Sequence, residues 1–155
     1  MLKIVFPLLF IYSLTVAGQS KSIDRFRKEF KEDNNIFIYS STLQMLNTEN
    51  NPEFADLAKD IEEIRVLNYT KTNLKFTADR ISALKSDLKE EKYTELMVIS
   101  EKKNKINLYG REKRGKTVGF VALIDNTDTF VIIDVDGNLD FEKFMQLKSK
   151  IDTKL

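Results

Sequence analysis

Residues 95–135 read ELMVIS EKKN KINLYGRE KRGK TVGFVALID NTD TFVIIDV, and this stretch decides the fold. Runs rich in apolar, β-branched and aromatic residues occupy 95–100, 105–112, 117–125 and 129–135. Polar segments of three or four residues separate them, a length typical of hairpin turns. The pattern predicts an antiparallel β-meander. The last two runs are apolar at both odd and even positions, so we expect them to be central strands that are covered more fully.

Helical and strand patterns alternate on the N-terminal side of the meander. They predict a short helix after Ser22, a strand at 36–40, a helical turn at 42–46, a helix capped by Asn51, a strand at 65–70, and a long helix at 72–92. The helix after Asn51 begins with Pro52 and carries an apolar stripe that ends at Ile61. After the meander, Asp140 is expected to cap a last helix.

This order of elements predicts an α+β fold. We expect a mostly antiparallel sheet with a C-terminal four-strand meander and with the helices packed on one face. No repeat or Pro/Gly-rich linker interrupts the chain, so residues 19–155 are expected to form a single domain.

The N-terminus has the pattern of a secretory signal peptide. Lys3 precedes an apolar run from Ile4 to Leu14, and small residues follow it up to Gly18. The run is shorter than the roughly 18 residues that a membrane span needs. We therefore predict cleavage after Gly18 and an exported protein, periplasmic or secreted. It is not expected to be a lipoprotein, because the chain has no cysteine to carry a lipid. No later segment is predicted to span a membrane.

Composition excludes several classes of chemistry. The chain contains no histidine and no cysteine, which removes Ser-His and Cys-His catalysis, thiolate ligands and disulfides. Loss of Lys3 with the signal peptide leaves 25 − 1 = 24 basic residues against 24 acidic ones. A balanced charge gives no electrostatic footprint for nucleic acid. We predict no catalytic residue, no cofactor and no enzymatic activity.

Asp134, Asp136 and Asp140 are the residues that most resemble a site. The stretch 130–144, FVIIDVDGNLDFEKF, is similar to the D-x-D-G-T motif of haloacid-dehalogenase-type phosphatases, but only 18 residues follow Gly137 and cannot supply the rest of that site. As a calcium loop it would place Lys143 where a bidentate glutamate is needed. We therefore predict an Asp-Gly turn and a helix cap. If a divalent ion bound, these three aspartates would be its ligands.

A second candidate surface is the basic hairpin between residues 102 and 116. Its members are Lys102, Lys103, Lys105, Arg111, Lys113, Arg114 and Lys116, opposed only by Glu101 and Glu112. They could bind an anionic surface such as lipid headgroups, polysaccharide or an acidic protein. Lysine-rich turns also protect sheet edges from aggregation, and that interpretation is favoured.

The ordered set of patterns resembles the domain-of-unknown-function 4252 family. The residues that carry the resemblance are YTELM at 93–97, the FVALID strand at 120–125 and the FVIIDVDGNLDFEKF ending. The resemblance covers nearly the whole mature chain. It implies a small exported protein of Bacteroidetes-type bacteria and hints at a role in envelope signalling, and it brings no catalytic residues.

These observations favour a non-catalytic protein-binding or regulatory module of the bacterial cell envelope, with an unknown envelope protein as partner. Two alternatives stay open: a carboxylate-based, metal-dependent hydrolase that uses Asp134, Asp136 and Asp140, and a protein that binds anionic surfaces through the basic hairpin. The sequence does not specify the oligomeric state.

Overall fold

The computed structural model describes residues 19–71 and 78–139, together with Glu142. In these ranges six strands form one sheet in the order β1-β2-β6-β5-β4-β3, and every neighbouring pair is antiparallel. The strands are β1 (Asn34–Tyr39), β2 (Ile61–Thr70), β3 (Tyr93–Glu101), β4 (Asn104–Lys113), β5 (Lys116–Asp125) and β6 (Thr129–Gly137). The described helices are α1 (Lys21–Glu29), α2 (Ser40–Met45), α3 (Pro52–Asp60) and α4 (Ala78–Glu90). The α+β prediction is confirmed.

Strands β3 to β6 form the predicted C-terminal meander. Lys113 pairs with Lys116, so the hairpin between β4 and β5 has a two-residue turn. Arg114 and Gly115 in that turn have φ angles of 54° and 75°, the type I′ backbone that matches the twist of paired strands. The contacts of the meander are local in sequence, so the periodicity alone was sufficient to predict them.

Pairing between β2 and β6 joins the N-terminal hairpin to the meander. The register runs from Ile61 opposite Gly137 to Thr70 opposite Thr129. As a result β6, the last strand in the chain, lies inside the sheet, and β1 and β3 form its two edges.

One face of the sheet, the α1/α4 face, carries the larger hydrophobic cluster. Phe130 and Ile132 of β6 and Tyr69 of β2 pack with Phe26 of α1 and Leu84 of α4. The rings of Phe26 and Tyr69 meet edge to face with their centroids 5.4 Å apart. Two amphipathic helices thus cover this face, as predicted.

The opposite face, the α2/α3 face, has its own cluster. Leu108, Phe120 and Val135 of the meander pack with Leu43 of α2 and Leu57 of α3. The expected packing of helices on one face therefore holds for α1 and α4, whereas α2 and α3 contact the other face. Helix α2 follows β1 directly and α3 runs directly into β2, so neither has a linker that could carry it round the sheet edge.

The cap of α3 is as predicted, and the end of this helix is not. The Asn51 side chain accepts hydrogen bonds from the N–H groups of Glu53 (3.0 Å) and Phe54 (3.2 Å). Ile61, expected on the helix, instead begins β2 and is 1% exposed.

Three predictions fall outside the described residues: the signal peptide at 1–18, the first part of the long helix at 72–77, and the last helix after Asp140. Within the described ranges, no helix has both the length and the apolar character needed to cross a membrane.

Gly137 ends β6 at a close approach of two backbones. Its φ angle is 150°, a conformation that favours glycine. A Cβ atom here would collide with the Asp60 carbonyl oxygen and lie only 2.8 Å from the Ile61 Cα. The same carbonyl accepts a hydrogen bond from the Asn138 N–H at 2.8 Å. Glycine therefore lets the end of β6 dock against the junction of α3 and β2.

Replacing Gly137 with alanine should lower the free energy of unfolding by about 2–3 kcal/mol, because the new Cβ meets fixed backbone. Gly115→Ala is the matched control, since Gly115 also has positive φ but a Cβ added there would have no neighbour within 4 Å. That control should cost only about 1 kcal/mol, from backbone conformation alone. Denaturant unfolding of both variants measures the difference, and an equal loss in the two would contradict the steric argument.

Candidate functional site

Asp134 and Asp136 lie on the α1/α4 face of β6. Strand alternation puts them in line with Phe130 and Ile132, and the strand continues through Gly137. The predicted tight turn at Asp136–Gly137 is therefore wrong. Asp134 is 3% exposed and Asp136 is 8% exposed. Two carboxylates at such depth need polar or charged partners.

Arg65 of β2 is the partner of Asp134 and lies directly opposite it in the register. Its Nε donates to Asp134 Oδ2 at 3.2 Å and its Nη2 donates to the same oxygen. Its Nη1 donates to Asp24 Oδ1 of α1 at 2.7 Å. Arg65 is itself 3% exposed, so one buried guanidinium links two strands and a helix.

Burial and pairing act in opposite directions on this ion pair. Burial raises the pKa of the Asp134 carboxyl, and the adjacent Arg65 guanidinium counteracts that rise. Burial also disfavours the charged guanidinium, but Asp134 and Asp24 outweigh it and the pKa of Arg65 is raised. The guanidinium stays protonated, so removing Arg65 would leave the buried Asp134 without its counter-charge, and removing Asp134 would leave Arg65 with Asp24 as its close partner.

Asp136 belongs to the next row of residues across the sheet. Asp136 pairs with Gly119, Gly119 with Arg111, and Arg111 with Tyr93. The Arg111 guanidinium carbon lies 4.9 Å from the centroid of the Tyr93 ring. The Tyr93 hydroxyl is buried, and no described residue hydrogen-bonds to it.

The pKa values of this row follow from burial. Burial is the main cause that raises the pKa of Tyr93, and the charge of Asp134 adds to it. Burial, reinforced by the negative charges of Glu62 and Asp134, raises the pKa of Asp136 to about 6.

The start of α1 adds further polar contacts to those of Arg65, Asp134 and Asp24; together we call these contacts the polar cluster. Ser20 caps the helix by accepting a hydrogen bond from the Ile23 N–H at 3.3 Å. The Glu91 carboxylate, which follows α4, accepts hydrogen bonds from Ser20 Oγ (3.1 Å), Ser22 Oγ (2.6 Å) and the Lys21 N–H (3.1 Å). Glu91 thus ties the end of α4 to the beginning of α1, whose positive dipole end favours a carboxylate.

These contacts connect elements of the fold: Arg65 joins β2 to β6 and α1, and Glu91 joins the end of α4 to the start of α1. A nucleophilic carboxylate must reach its substrate, whereas Asp134 is paired with Arg65 on a face that α1 covers. The third candidate ligand, Asp140, lies outside the described residues. In the described part of the chain, no group of three or more His, Cys, Asp or Glu side chains is arranged to hold a metal ion.

The structure divides the predicted basic surface into two groups. Lys102 and Lys103 form the turn between β3 and β4, and Lys105 follows them; Lys113, Arg114 and Lys116 lie at the other end of β4. The ends of this ten-residue strand are about 30 Å apart. Arg111 belongs with the second group but lies over the Tyr93 ring. The seven side chains therefore do not form one continuous surface.

Apolar side chains are exposed at the two edges of the sheet. Large hydrophobic residues with high exposure in the described ranges are Ile36 (56%), Tyr39 (53%), Met45 (81%), Leu46 (62%), Leu96 (44%) and Val98 (47%). Four of them belong to β1 and to α2 with the residue that follows it; the other two belong to β3.

The two edges differ in their protection against strand addition. Strand β3 carries Glu95 and Glu101 and has an irregular register between Glu95 and Met97. Strand β1, NNIFIY, has no charge, no proline, no glycine and a regular register with β2. Charges and bulges are the usual means of blocking an edge, so β1 is the unprotected one.

Sequence reasoning identified the β1 segment as a strand and missed its importance. The available signal was the absence of charge across residues 34–39. That signal becomes informative only when the strand order shows that β1 is an edge, because central strands are also uncharged.

Comparison with protein-family models matches residues 17–147 to a model described as "Domain of unknown function (DUF4252)". No match was found among curated proteins or among solved structures.

Arg65→Met should lower the free energy of unfolding by about 3–5 kcal/mol, because it leaves the buried Asp134 carboxylate without its counter-charge. The double variant Arg65→Met/Asp134→Leu should recover most of the loss, since both members of the buried ion pair are then replaced by apolar side chains. Lys59→Met, which breaks an ion pair whose side chains are 66% and 74% exposed, is the control. A loss from Arg65→Met as small as that from the control would contradict the proposed importance of the pair.

Asp136→Asn should change how stability depends on pH. In the folded protein the pKa of Asp136 is about 6, above the ordinary 3.8, so the folded state binds the proton more tightly. This contribution to stability is complete below pH 3.8 and is lost as the pH rises through 6. Asp136→Asn should therefore gain stability relative to the wild type as the pH rises from 3.8 to about 6, on the order of 1 kcal/mol. Parallel pH profiles in denaturant unfolding would refute this assignment.

Proposed function

The chain belongs to the DUF4252 family, and from that premise we propose that it is an exported, non-catalytic protein-binding module of the bacterial cell envelope. The surface that binds is the outer edge of β1 together with the apolar side chains of the β1–α2 segment, residues 34–46. We call this surface the β1 edge. It is the single observation that carries the proposal.

The argument starts from what an open strand edge does. In an antiparallel pair, every second residue of an edge strand points its N–H and C=O groups away from its neighbour. These groups form a template onto which another extended polypeptide can add as a further strand. Backbone hydrogen bonds then supply affinity and alternate side chains supply specificity.

The exposed side chains fit this mode of binding. Ile36 and Tyr39 flank the edge, and Met45 and Leu46 follow at the end of α2. Removing such apolar surface from water is the dominant favourable contribution to association between proteins. Polypeptide is the ligand class that can use apolar side chains and a strand edge together.

Export is supported by the apolar N-terminal segment that precedes the matched region. The family match begins at residue 17, next to the predicted cleavage after Gly18. The absence of cysteine suits a protein that crosses the membrane and folds without disulfides. A regulatory role in the envelope is the function that a small binding module of this kind would serve.

The geometry gives less support to the alternatives. The hydrolase depends on Asp134 and Asp136, but Asp134 is paired with Arg65 and both carboxylates are buried. The anionic-surface hypothesis depends on one continuous basic surface, and the basic residues lie at opposite ends of β4. Lys102, Lys103 and Lys105 line an open concavity of about 400 Å³. Asp125 also lines it and pairs with Lys71, so the concavity contains a negative charge as well as the lysines.

An affinity experiment tests the proposed function. Tagged mature protein beginning at Gln19 is incubated with an envelope fraction of the source bacterium, and the proteins retained are quantified. Ile36→Lys places a charge on the β1 edge and should reduce a specific partner at least about tenfold, because a lysine at an edge opposes strand addition.

Val98→Lys is the matched control for that experiment, since Val98 has similar exposure (47% against 56%) on the opposite edge. It should retain the partner at the wild-type level. Both variants must unfold at wild-type denaturant concentrations. Equal retention by all three proteins would overturn the assignment of the surface.

A further inference from the structure

We propose that the polypeptide bound at the β1 edge is a second copy of this chain, added through antiparallel pairing of β1 with β1 about a two-fold axis. The two sheets of six strands would then form one continuous sheet of twelve. This inference rests on the proposed function, because it names the occupant of the same surface.

Charge permits the strand to pair with itself. The six residues of β1 carry no charge, so no like charges meet anywhere along the paired strands. Antiparallel pairing places the N-terminal end of one strand beside the C-terminal end of the other. Asp33, which precedes β1, therefore lies opposite Tyr39 of the second copy with the axis at Ile36, or opposite Ser41 with the axis at Phe37, and not opposite another acid. The Asp33 carboxylate already accepts a hydrogen bond from the Thr70 N–H.

Symmetry restricts the register of the pairing. A two-fold axis perpendicular to the sheet keeps each face on its own side, and paired residues must point to the same face. A residue at the axis must therefore pair with its own copy. For a strand at residues 34–39, two positions of the axis leave the fewest residues unpaired. An axis beside Ile36 pairs residues 34–38 with those of the second copy, and an axis beside Phe37 pairs residues 35–39.

Both registers bury exposed apolar surface. With the axis at Ile36, this side chain, 56% exposed in the single chain, meets its own copy on the α2/α3 face. With the axis at Phe37, Ile36 meets Ile38 of the second copy on that face. The Phe37 ring is held on the other face by the Arg27 guanidinium, 5.3 Å from its centroid.

A second copy has an energetic advantage over a disordered segment. Its β1 is already ordered through pairing with β2 over all six residues. A flexible peptide would lose conformational entropy when it became a strand, whereas a preformed strand has met that cost on folding. Each copy also carries the same open edge, so the outward N–H and C=O groups of one β1 can hydrogen-bond with those of the other.

Sedimentation velocity and light scattering on the mature chain from Gln19 test the inference. Between about 1 µM and 1 mM, the wild type should shift from the mass of one chain toward that of two. Ile36→Lys should weaken the association at least about tenfold, because the lysine either meets its own copy across an axis at Ile36 or places a charge against Ile38 of the second copy. Val98→Lys, on the opposite edge, should associate like the wild type.

Single cysteine variants report the geometry directly, because the chain contains no cysteine of its own. Under oxidising conditions, either Ile36→Cys or Phe37→Cys should form a disulfide-linked dimer in high yield, since only residues at the axis bring two Cα atoms within about 7 Å. Val98→Cys should remain a monomer on a non-reducing gel.

The outcomes separate this inference from the function on which it rests. A wild-type protein that stays a monomer throughout, while Ile36→Lys still loses a different envelope protein, overturns the second copy and leaves the proposed function intact. Dimers that crosslink only through Val98→Cys also overturn it. An Ile36→Lys variant that equals the wild type in both mass and partner retention overturns the inference and the proposed function together.

Discussion

The pairing of β2 with β6 is the constraint on which the rest of the structure depends. It joins a two-strand hairpin to a four-strand meander, and without it the chain would contain two small sheets. Arg65 and Asp134 lie opposite each other within this pairing and are both 3% exposed. A slip by one residue would send the guanidinium and the carboxylate to opposite faces, where each charge would be buried alone. The ion pair therefore specifies the register more than it adds to stability.

The same guanidinium determines where α1 lies. Its third contact is Asp24 in the first turn of that helix, and Glu91 holds the helix start from the end of α4. These polar contacts surround an apolar stripe in which Ile23, Phe26 and Phe30 are buried. Hydrophobic burial supplies the affinity of the helix for the sheet, because it scales with area and has no direction. The ion pair and the carboxylate cap supply the orientation that burial lacks. The polar cluster thus serves to assemble the fold.

Much of the fold was predictable from the sequence because it is local. Each hairpin of the meander and the Asn51 cap involve residues close in the chain, and the residue pattern there encodes the structure. The β2–β6 pairing joins distant parts of the chain, since Arg65 and Asp134 are 69 residues apart, and no period in the sequence records it. Without that pairing, Asp134 resembled a catalytic or metal site and Arg65 resembled an ordinary strand residue. The beginning of β2 at Ile61 was missed for a related reason, since its apolar side chain suits the helix stripe and the strand equally well. The candidate surface was the least predictable feature, because an edge is a property of the strand order.

The two edges of the sheet show what that order does for function. Stability alone gives no reason to keep Ile36, Met45 and Leu46 in water, because exposed apolar groups contribute nothing to the folded state. The other edge of the same sheet is protected against strand addition, since β3 combines two glutamates with an irregular register. Strand β1 has neither device and is flanked by the most exposed apolar residues of the described chain. This contrast between the two edges is the observation on which the proposed binding function rests. The buried Asp134, which first resembled part of an active site, instead pairs with Arg65 and ties β6 to β2, the strand against which β1 is paired.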